Sequence, residues 1–138
     1  MKNLNDIFRN IDITTKALNA SWKRNEIIAN NIANANTPNF KRSDVVFNEI
    51  LKDYLKKDNI KLKTTHEKHI QPGIDKIEDL NYRIVNSENY QTRRDGNNVD
   101  IDVEMAELAK NHIVYNTLAN QVNNNIQKIK MVLREGGR

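Results

Sequence analysis

The stretch A-N-N-I-A-N-A-N-T-P-N-F, Ala29–Phe40, decides how this chain folds. Ile28, Ile32 and Ala35 keep helical spacing up to a break. Pro38 then lacks a backbone donor and pushes Thr37 out of the α region. Asn34, Asn36 and Asn39 belong to the non-glycine type best able to enter the left-handed conformation and to hydrogen-bond loose backbone groups. A helix therefore ends near Asn34. Asn31, Asn34, Asn36, Thr37, Pro38 and Phe40 form the candidate turn that sets the direction in which the chain leaves it.

Upstream of the turn, Leu4, Phe8, Ile11, Thr15, Leu18, Trp22, Asn25, Ala29 and Ile32 alternate at spacings of four and three, with only Thr15 and Asn25 polar. The C-terminal third repeats the pattern over a longer run. Ile101, Met105, Leu108, His112, Tyr115, Ala119, Val122, Ile126, Ile129 and Leu133 follow the same alternation, with His112 its one polar member. Such stripes are heptad seams suited to helix-on-helix packing. Asp100, Asp102 and Glu104 favour the positive end of the second helix dipole. Lys128, Lys130, Arg134 and then Gly136-Gly137 mark its end. Both helices would run about 45–50 Å at 1.5 Å per residue. The expected fold is mainly α: two long terminal amphipathic helices pairing as an antiparallel coiled coil, with a small irregular or extended middle segment. The helix-packing seam falls on Leu18, Trp22, Ala29 and Ile32 of the first helix. On the second it falls on Met105, Leu108, Tyr115, Val122, Ile126, Ile129 and Leu133.

The pair is not self-sufficient. Each buried large apolar side chain contributes roughly 1.5–3 kcal/mol, against about 1–2 kcal/mol of backbone ordering per residue. Ile7, Ile27, Ile28, Ile113, Val114, Leu118 and Val132 lie off or beside the seams and widen the apolar face. Helices of this kind want neighbours.

The 138 residues are one domain's worth. Hydrophobic content of 38%, aromatics of 6% and a mean hydropathy of −0.78 are low for a compact enzyme. The chain has no cysteine, hence no disulfide or thiol chemistry. No apolar run approaches the roughly 20 residues that span a bilayer, and the start M-K-N-L-N-D-I-F-R-N has no apolar core or cleavage site of a secretion signal. The net charge of +4 is spread among interleaved acids such as Lys52-Asp53 and Glu67-Lys68. This describes a solvated surface better than a nucleic-acid site.

Between the helices, Val46, Phe47, Ile50, Leu51, Tyr54 and Leu55 read as a short helix over 44–57. Tyr82, Ile84, Val85 and Leu62 are candidates for extended segments, and Pro72-Gly73 and Asp95-Gly96-Asn97-Asn98 for turns. His66-Glu67-Lys68-His69 has the wrong spacing for a zinc-protease motif, whose histidines stand four apart. Asp95–Glu104 lacks the glycine and final glutamate offsets of a calcium loop. No catalytic set, cofactor site or metal site can be placed, and the chain reads as a non-enzyme with no small-molecule substrate.

Three patches carry a family resemblance. I-I-A-N-N-I-A-N-A-N-T-P-N-F-K-R-S-D-V-V-F (Ile27–Phe47) resembles the N-terminal signature of the bacterial flagellar axial proteins, followed by the extension of their rod type; family members usually have Gly where this chain has Asn39. L-K-T-T-H-E-K-H-I (Leu62–Ile70) is similar to a stretch of the shortest rod proteins. R-R-D-G-N-N-V-D-I-D-V-E-M-A-E-L-A-K-N-H-I-V-Y (Arg93–Tyr115) resembles the segment leading into their C-terminal helix. The resemblance implies a structural subunit of the proximal rod of the flagellar basal body. It implies export without a cleaved signal through the flagellar type III apparatus, and helical self-assembly into a torque-transmitting, export-channel-lining rod. The implied partners are copies of itself, other rod proteins, the rod-adapter protein and the export gate. Domain organisation would be 1–36 and 100–138 as the two helices of the coiled-coil domain, with 37–99 between. Heptads alone leave a coiled-coil adaptor or export chaperone open as the alternative.

Overall fold

The computed structural model describes residues 2–59, 77–87 and 94–135. Two long helices dominate: α1, Lys2–Ala33, and α3, Ile101–Glu135. Between them come strand β1 (Ser43–Val46), helix α2 (Asn48–Asn59), a 3-10 turn at Ile77–Asp79 and strand β2 (Arg83–Asn86). The Ser21–Asn111 and Asn31–Glu104 hydrogen bonds show that α1 and α3 run antiparallel.

Both helix ends at the turn side are closed by short polar side chains. Asn34 donates from Nδ2 to the Asn30 carbonyl at 2.9 Å, and its own N–H reaches the same oxygen at 3.1 Å. Asn39 then takes φ +60°, the only positive φ of a non-glycine among the described residues. At the start of α3, the Asp100 carboxylate accepts from the N–H groups of Asp102 and Val103, at 3.0 and 3.3 Å. That is an N-cap, satisfying donors that the first helical turn leaves unpaired.

The middle segment differs from the expected helix over 44–57. Residues 43–46 are extended, and the helix starts at Asn48. Val45 and Phe47 are both buried two residues apart, the period of a strand rather than a helix. β1 pairs antiparallel with β2, Val45 opposite Ile84 and Asp44 opposite Val85, and the Ser87 N–H extends the ladder to the Arg42 carbonyl at 2.8 Å. Ile84 and Val85 are thus extended as expected, and Tyr82 directly precedes the strand. Leu62, His66, His69, Pro72-Gly73 and Gly136-Gly137 lie outside the described residues.

The apolar core is small and sits between α1 and the middle segment. Ala20, Ile27, Val45, Phe47, Tyr54 and Leu80 are buried together, with Ile13, Ala17, Ile50, Leu51 and Ile77 against them. The Arg9 guanidinium lies 5.9 Å from the centre of the Tyr54 ring, and Lys16 donates to the Glu78 carbonyl at 2.9 Å. α1 therefore has two loaded faces, one toward this core and one toward α3. Leu80 is fully buried, so Leu80→Ala should cost about 2–5 kcal/mol. Urea unfolding followed by circular dichroism checks this; an unchanged midpoint would mean that the core does not hold the middle segment to α1.

Candidate assembly junction

The line of contact between α1 and α3 is more polar than the stripes in the sequence. Asn111 donates from Nδ2 to the Ser21 carbonyl at 2.7 Å and to Asn25 Oδ1 at 2.8 Å, while the Ser21 hydroxyl donates to Asn111 Oδ1 at 3.1 Å. Arg24 lies 3.4 Å from Glu107 on the flank of this line. One heptad further along, Asn31 donates to Glu104 Oε2 at 2.9 Å. Contact thus runs through Ser21, Ile28 and Ala35 on α1 and its extension, and through Glu104, Asn111 and Leu118 on α3, alternating with Leu18, Asn25, Ile32, Leu108, Tyr115, Val122 and Ile129.

The expected seam shares one half of this line and misses the other by one residue. Leu18, Ile32, Leu108, Tyr115, Val122 and Ile129 are half-buried. Trp22, Ala29, Met105, Ile126 and Leu133 are exposed, Trp22 by 58% and Met105 by 59%. Ser21, Ile28, Glu104 and Asn125, each one residue before Trp22, Ala29, Met105 and Ile126, are the more buried inside the chain, whereas Val132 before Leu133 is exposed as well. The reason is chemical. Apolar periodicity cannot count Ser21, Asn25, Glu104 and Asn111, which fit the interface only because each finds its partner on the other helix.

A buried polar joint ties the turn, β1 and α3 together. Asn31, wholly buried, behaves like a neighbouring strand toward β1: its Nδ2 donates to the Ser43 carbonyl at 2.8 Å and its Oδ1 accepts the Ser43 N–H at 3.1 Å. Glu104, also wholly buried, takes Asn31 on one carboxylate oxygen and Arg42 Nε on the other. Arg42 reaches on to Asp44 at 3.3 Å, and Arg24 Nε lies 3.2 Å from the same carboxylate, close enough for an ion pair but out of line for a hydrogen bond. Burial works against the Arg42 guanidinium, but the Glu104 carboxylate and then Asp44 outweigh it, so Arg42 holds its proton more tightly than usual. At the edge of the joint, the hydrogen bond from Lys110 holds Glu107 below the usual carboxylate range. That contribution is present above the unfolded carboxylate pKa and fades as pH falls through the folded one; with Lys110 largely in solvent it is small.

Asn97 and Asn98 complete the joint from the α3 side. The buried Asn97 amide donates to the carbonyls of Asn34, Ala35 and Thr37 at 3.0, 3.1 and 2.9 Å, and its Oδ1 accepts the Val99 N–H at 2.7 Å. Asn98 accepts from the Arg42 N–H at 2.7 Å and donates to the Ser87 carbonyl at 2.8 Å. The Asn39 N–H reaches the Asp95 carbonyl at 2.9 Å. A Cβ on Gly96, which has φ +77°, would come within 2.5 Å of Asn39 Oδ1. Of the turn residues, Asn31 is buried, Asn34 and Phe40 are half-buried, and Asn36, Thr37 and Pro38 are exposed. The sequence showed 95–98 as a turn; what it did not show is that this turn caps the other one, a contact some sixty residues distant.

These features define a class: a long helix pair braced at one end by a polar joint, with a small subdomain on one side and uncovered apolar side chains elsewhere. Its chemistry is that of a building element. A family profile described as "Flagella basal body rod protein" matches residues 11–41, which are most of α1 and the turn. Relatives extend over nearly the whole chain. The flagellar basal body rod protein FlgB of Aquifex aeolicus is 39% identical over 112 residues, 81% of this chain and 82% of its own length. FlgB of Bacillus subtilis is 36% identical over 120 residues, 87% and 89% of the two chains. FlgB of Borreliella burgdorferi is 33% identical over 139 residues, 95% and 100%. The chain therefore belongs to the flagellar basal-body rod proteins, a structural family. Within it, the proteins that this chain is similar to along its length are the FlgB proteins.

Glu104→Ala would leave Arg42 and Asn31 facing an empty, buried site. The expected cost is about 3–5 kcal/mol, read from chemical unfolding, with Glu107→Ala costing under about 1 kcal/mol. Equal losses in the two variants would contradict the joint.

Proposed function

We propose that this chain is a subunit of the proximal rod of the flagellar basal body, assembling helically with copies of itself and with other rod proteins. Residues 1–36 and 100–138 act as one helical domain lining the export channel, and 37–99 as the outer segment that the joint holds at a fixed angle. The subunit reaches its place through the flagellar type III apparatus, and sits beside the rod-adapter protein and the export gate. The observation that carries this reading is the uncovered apolar surface of α3. Met105, Ile113, Ile126, Met131, Val132 and Leu133 are all exposed along one helix, more than a subunit at home in solvent keeps. Torque transmission through a rod asks for packing strength along such surfaces. The likeness to FlgB proteins over most of the chain supports the same assignment.

The turn Asn31, Asn34, Asn36, Thr37, Pro38 and Phe40 serves assembly in this reading by fixing where the middle segment stands. Replacing Pro38 by Ala and Asn39 by Val frees the first residue and puts a β-branched side chain at a positive φ. Export should persist while rod assembly and swimming decline.

A sharper test separates packing from charge. Ile126→Asp places a carboxylate in the expected contact, whereas Gln127→Asp adds the same charge one step round the helix, where the side chain is exposed. An epitope-tagged chain should be found in hook–basal-body fractions, be lost from them in Ile126→Asp and be retained in Gln127→Asp. A cytosolic dimer in place of basal-body material would favour the adaptor or chaperone alternative.

A further inference from the structure

The helix pair has two unlike flanks and two unlike ends. On one flank, Val114 and Leu118 of α3 line a narrow groove with Phe47 and Leu51 of the middle segment. Further along, the same side of α3 passes Gln121 and Asn125 and reaches Lys128 and Val132. There the groove widens. α1 and α3 leave between them a cleft of about 570 Å³ lined by Phe8 and Ile13 of α1 and by Ile129, Val132 and Leu133 of α3, with Lys128 among them. Lys130 and Arg134 are exposed on the same last turns. On the opposite flank, at the other end of α3, Ile101, Met105, Ala109 and Ile113 are all exposed. Their four-residue steps place them in one ridge, about half a turn round the helix from Glu107 and Val114. The acids of this end divide in two. Glu104 and Glu107 are taken up inside the chain by Arg42, Arg24 and Lys110, whereas Asp100 and Asp102 are exposed at the foot of the ridge. From Asn111 to Gln127 α3 holds no Asp, Glu, Lys or Arg. One helix thus begins acidic, runs uncharged and ends basic.

We propose that the cleft receives the first turns of α3 from a second copy of the chain, in a head-to-tail contact. The inference rests on the assembly reading and names the two surfaces that join its copies. Charge complementarity identifies the occupant. Ile101 and Met105 of the incoming helix supply apolar side chains for Phe8, Ile129 and Val132, while its Asp102 comes to Lys128 at the rim. The same cleft of a second copy makes no such partner, because Lys128, Lys130 and Arg134 would then meet like charges. The two joined surfaces are different patches of one chain, so the contact is heterologous and does not close on itself. Cleft and ridge also lie on opposite flanks of α3. Copies that touch in this way therefore keep one direction, each shifted by about 40 Å from the last at 1.5 Å per residue. Repetition gives an open array with a single polarity, the kind that a rod assembled from one end needs.

The chain has no cysteine, so the full chain with Met105→Cys and Val132→Cys together has two defined thiols. They stand about 40 Å apart on one helix, so a short bismaleimide cannot bridge them within one copy. The purified double variant should give a ladder of covalent dimers, trimers and longer chains. Either single variant alone should stay monomeric, and the two singles mixed should stop at the dimer. In the double-thiol chain, Asp102→Lys or Lys128→Glu should each reduce the ladder about three- to fivefold, and the two together should restore it. Both side chains are exposed, and circular dichroism verifies that each variant is folded. Absence of the ladder overturns the proposal. So does a covalent dimer from either single variant, the mark of a two-fold contact, or a ladder indifferent to the charge changes. A ladder from a chain that is missing from basal bodies would sink the rod assignment and leave the contact standing; a chain present in basal bodies that gives no ladder does the reverse.

Discussion

The hydrogen-bonded carboxylate of Glu104 sets the position of everything else in the molecule. It is a charge with no access to solvent, and it is tolerable only where Arg42 and Asn31 meet it together. Arg42 belongs to the extension leading into β1, Asn31 to α1 and Glu104 to α3, so one carboxylate states the relative placement of three elements. Such a pair adds little net stability compared with a well-packed apolar cluster. Its effect is on register. Two amphipathic helices with seven-residue repeats could slide by a heptad at modest loss of apolar contact. Sliding here would strip Glu104 of Asn31 and Asn111 of Ser21 and Asn25, leaving buried polar atoms without partners.

The same joint explains which parts of the fold could be read in the sequence. The helices, their ends and the turn were legible because their causes are local: the four-three spacing, Asp100 as a cap, Pro38 as a breaker, and an asparagine, Asn39, in the left-handed region. The inner seam was legible by half. Leu18, Ile32, Leu108, Tyr115, Val122 and Ile129, picked out by apolar spacing, are half-buried in the single chain. The other half is built of Ser21, Asn31, Glu104 and Asn111, whose value depends on partners far along the chain, 73 residues for Asn31 with Glu104 and 90 for Ser21 with Asn111, and no local pattern contains that information. β1 was absorbed into a helix for a related reason. Phe47, Ile50, Leu51 and Tyr54 do have helical spacing, and Val45 is drawn into an extended conformation by pairing with Ile84, which is non-local. Asn97 escaped notice because it looked like an ordinary loop residue, although it closes three carbonyls of the first turn.

α1 is the element with the most obligations. One face buries Ala20 and Ile27 with Val45, Phe47 and Leu80; another carries Ser21, Asn25 and Asn31 toward α3. The family profile covers residues 11–41, the span in which both faces are engaged and the exit turn is capped. A substitution there disturbs two interfaces at once, whereas in the outer half of α3, from Gln121 onward, the one described neighbour is the start of α1.

The helix pair places more polar groups inside and more apolar groups outside than an ordinary two-layer domain. Where α1 meets α3 near the joint, asparagine, serine and charged side chains share the contact with Ile28, Ile32 and Leu108, while Trp22, Met105, Ile113 and Leu133 point outward. A polar inner contact is specific but weak, since each hydrogen bond nets only about 0.5–1.5 kcal/mol after exchange with water. An apolar outer face is strong but indiscriminate until a complementary surface covers it. Together they describe a chain whose internal register is chosen by polar pairs and whose exposed apolar face is free to add cohesion in the assembly proposed above. If the polar and apolar positions were exchanged, the pair would be more stable alone and would have less to gain from assembly. In the assembly proposed above, the largest share of apolar burial would fall between subunits and not within one, which is where a structural element under load gains from it.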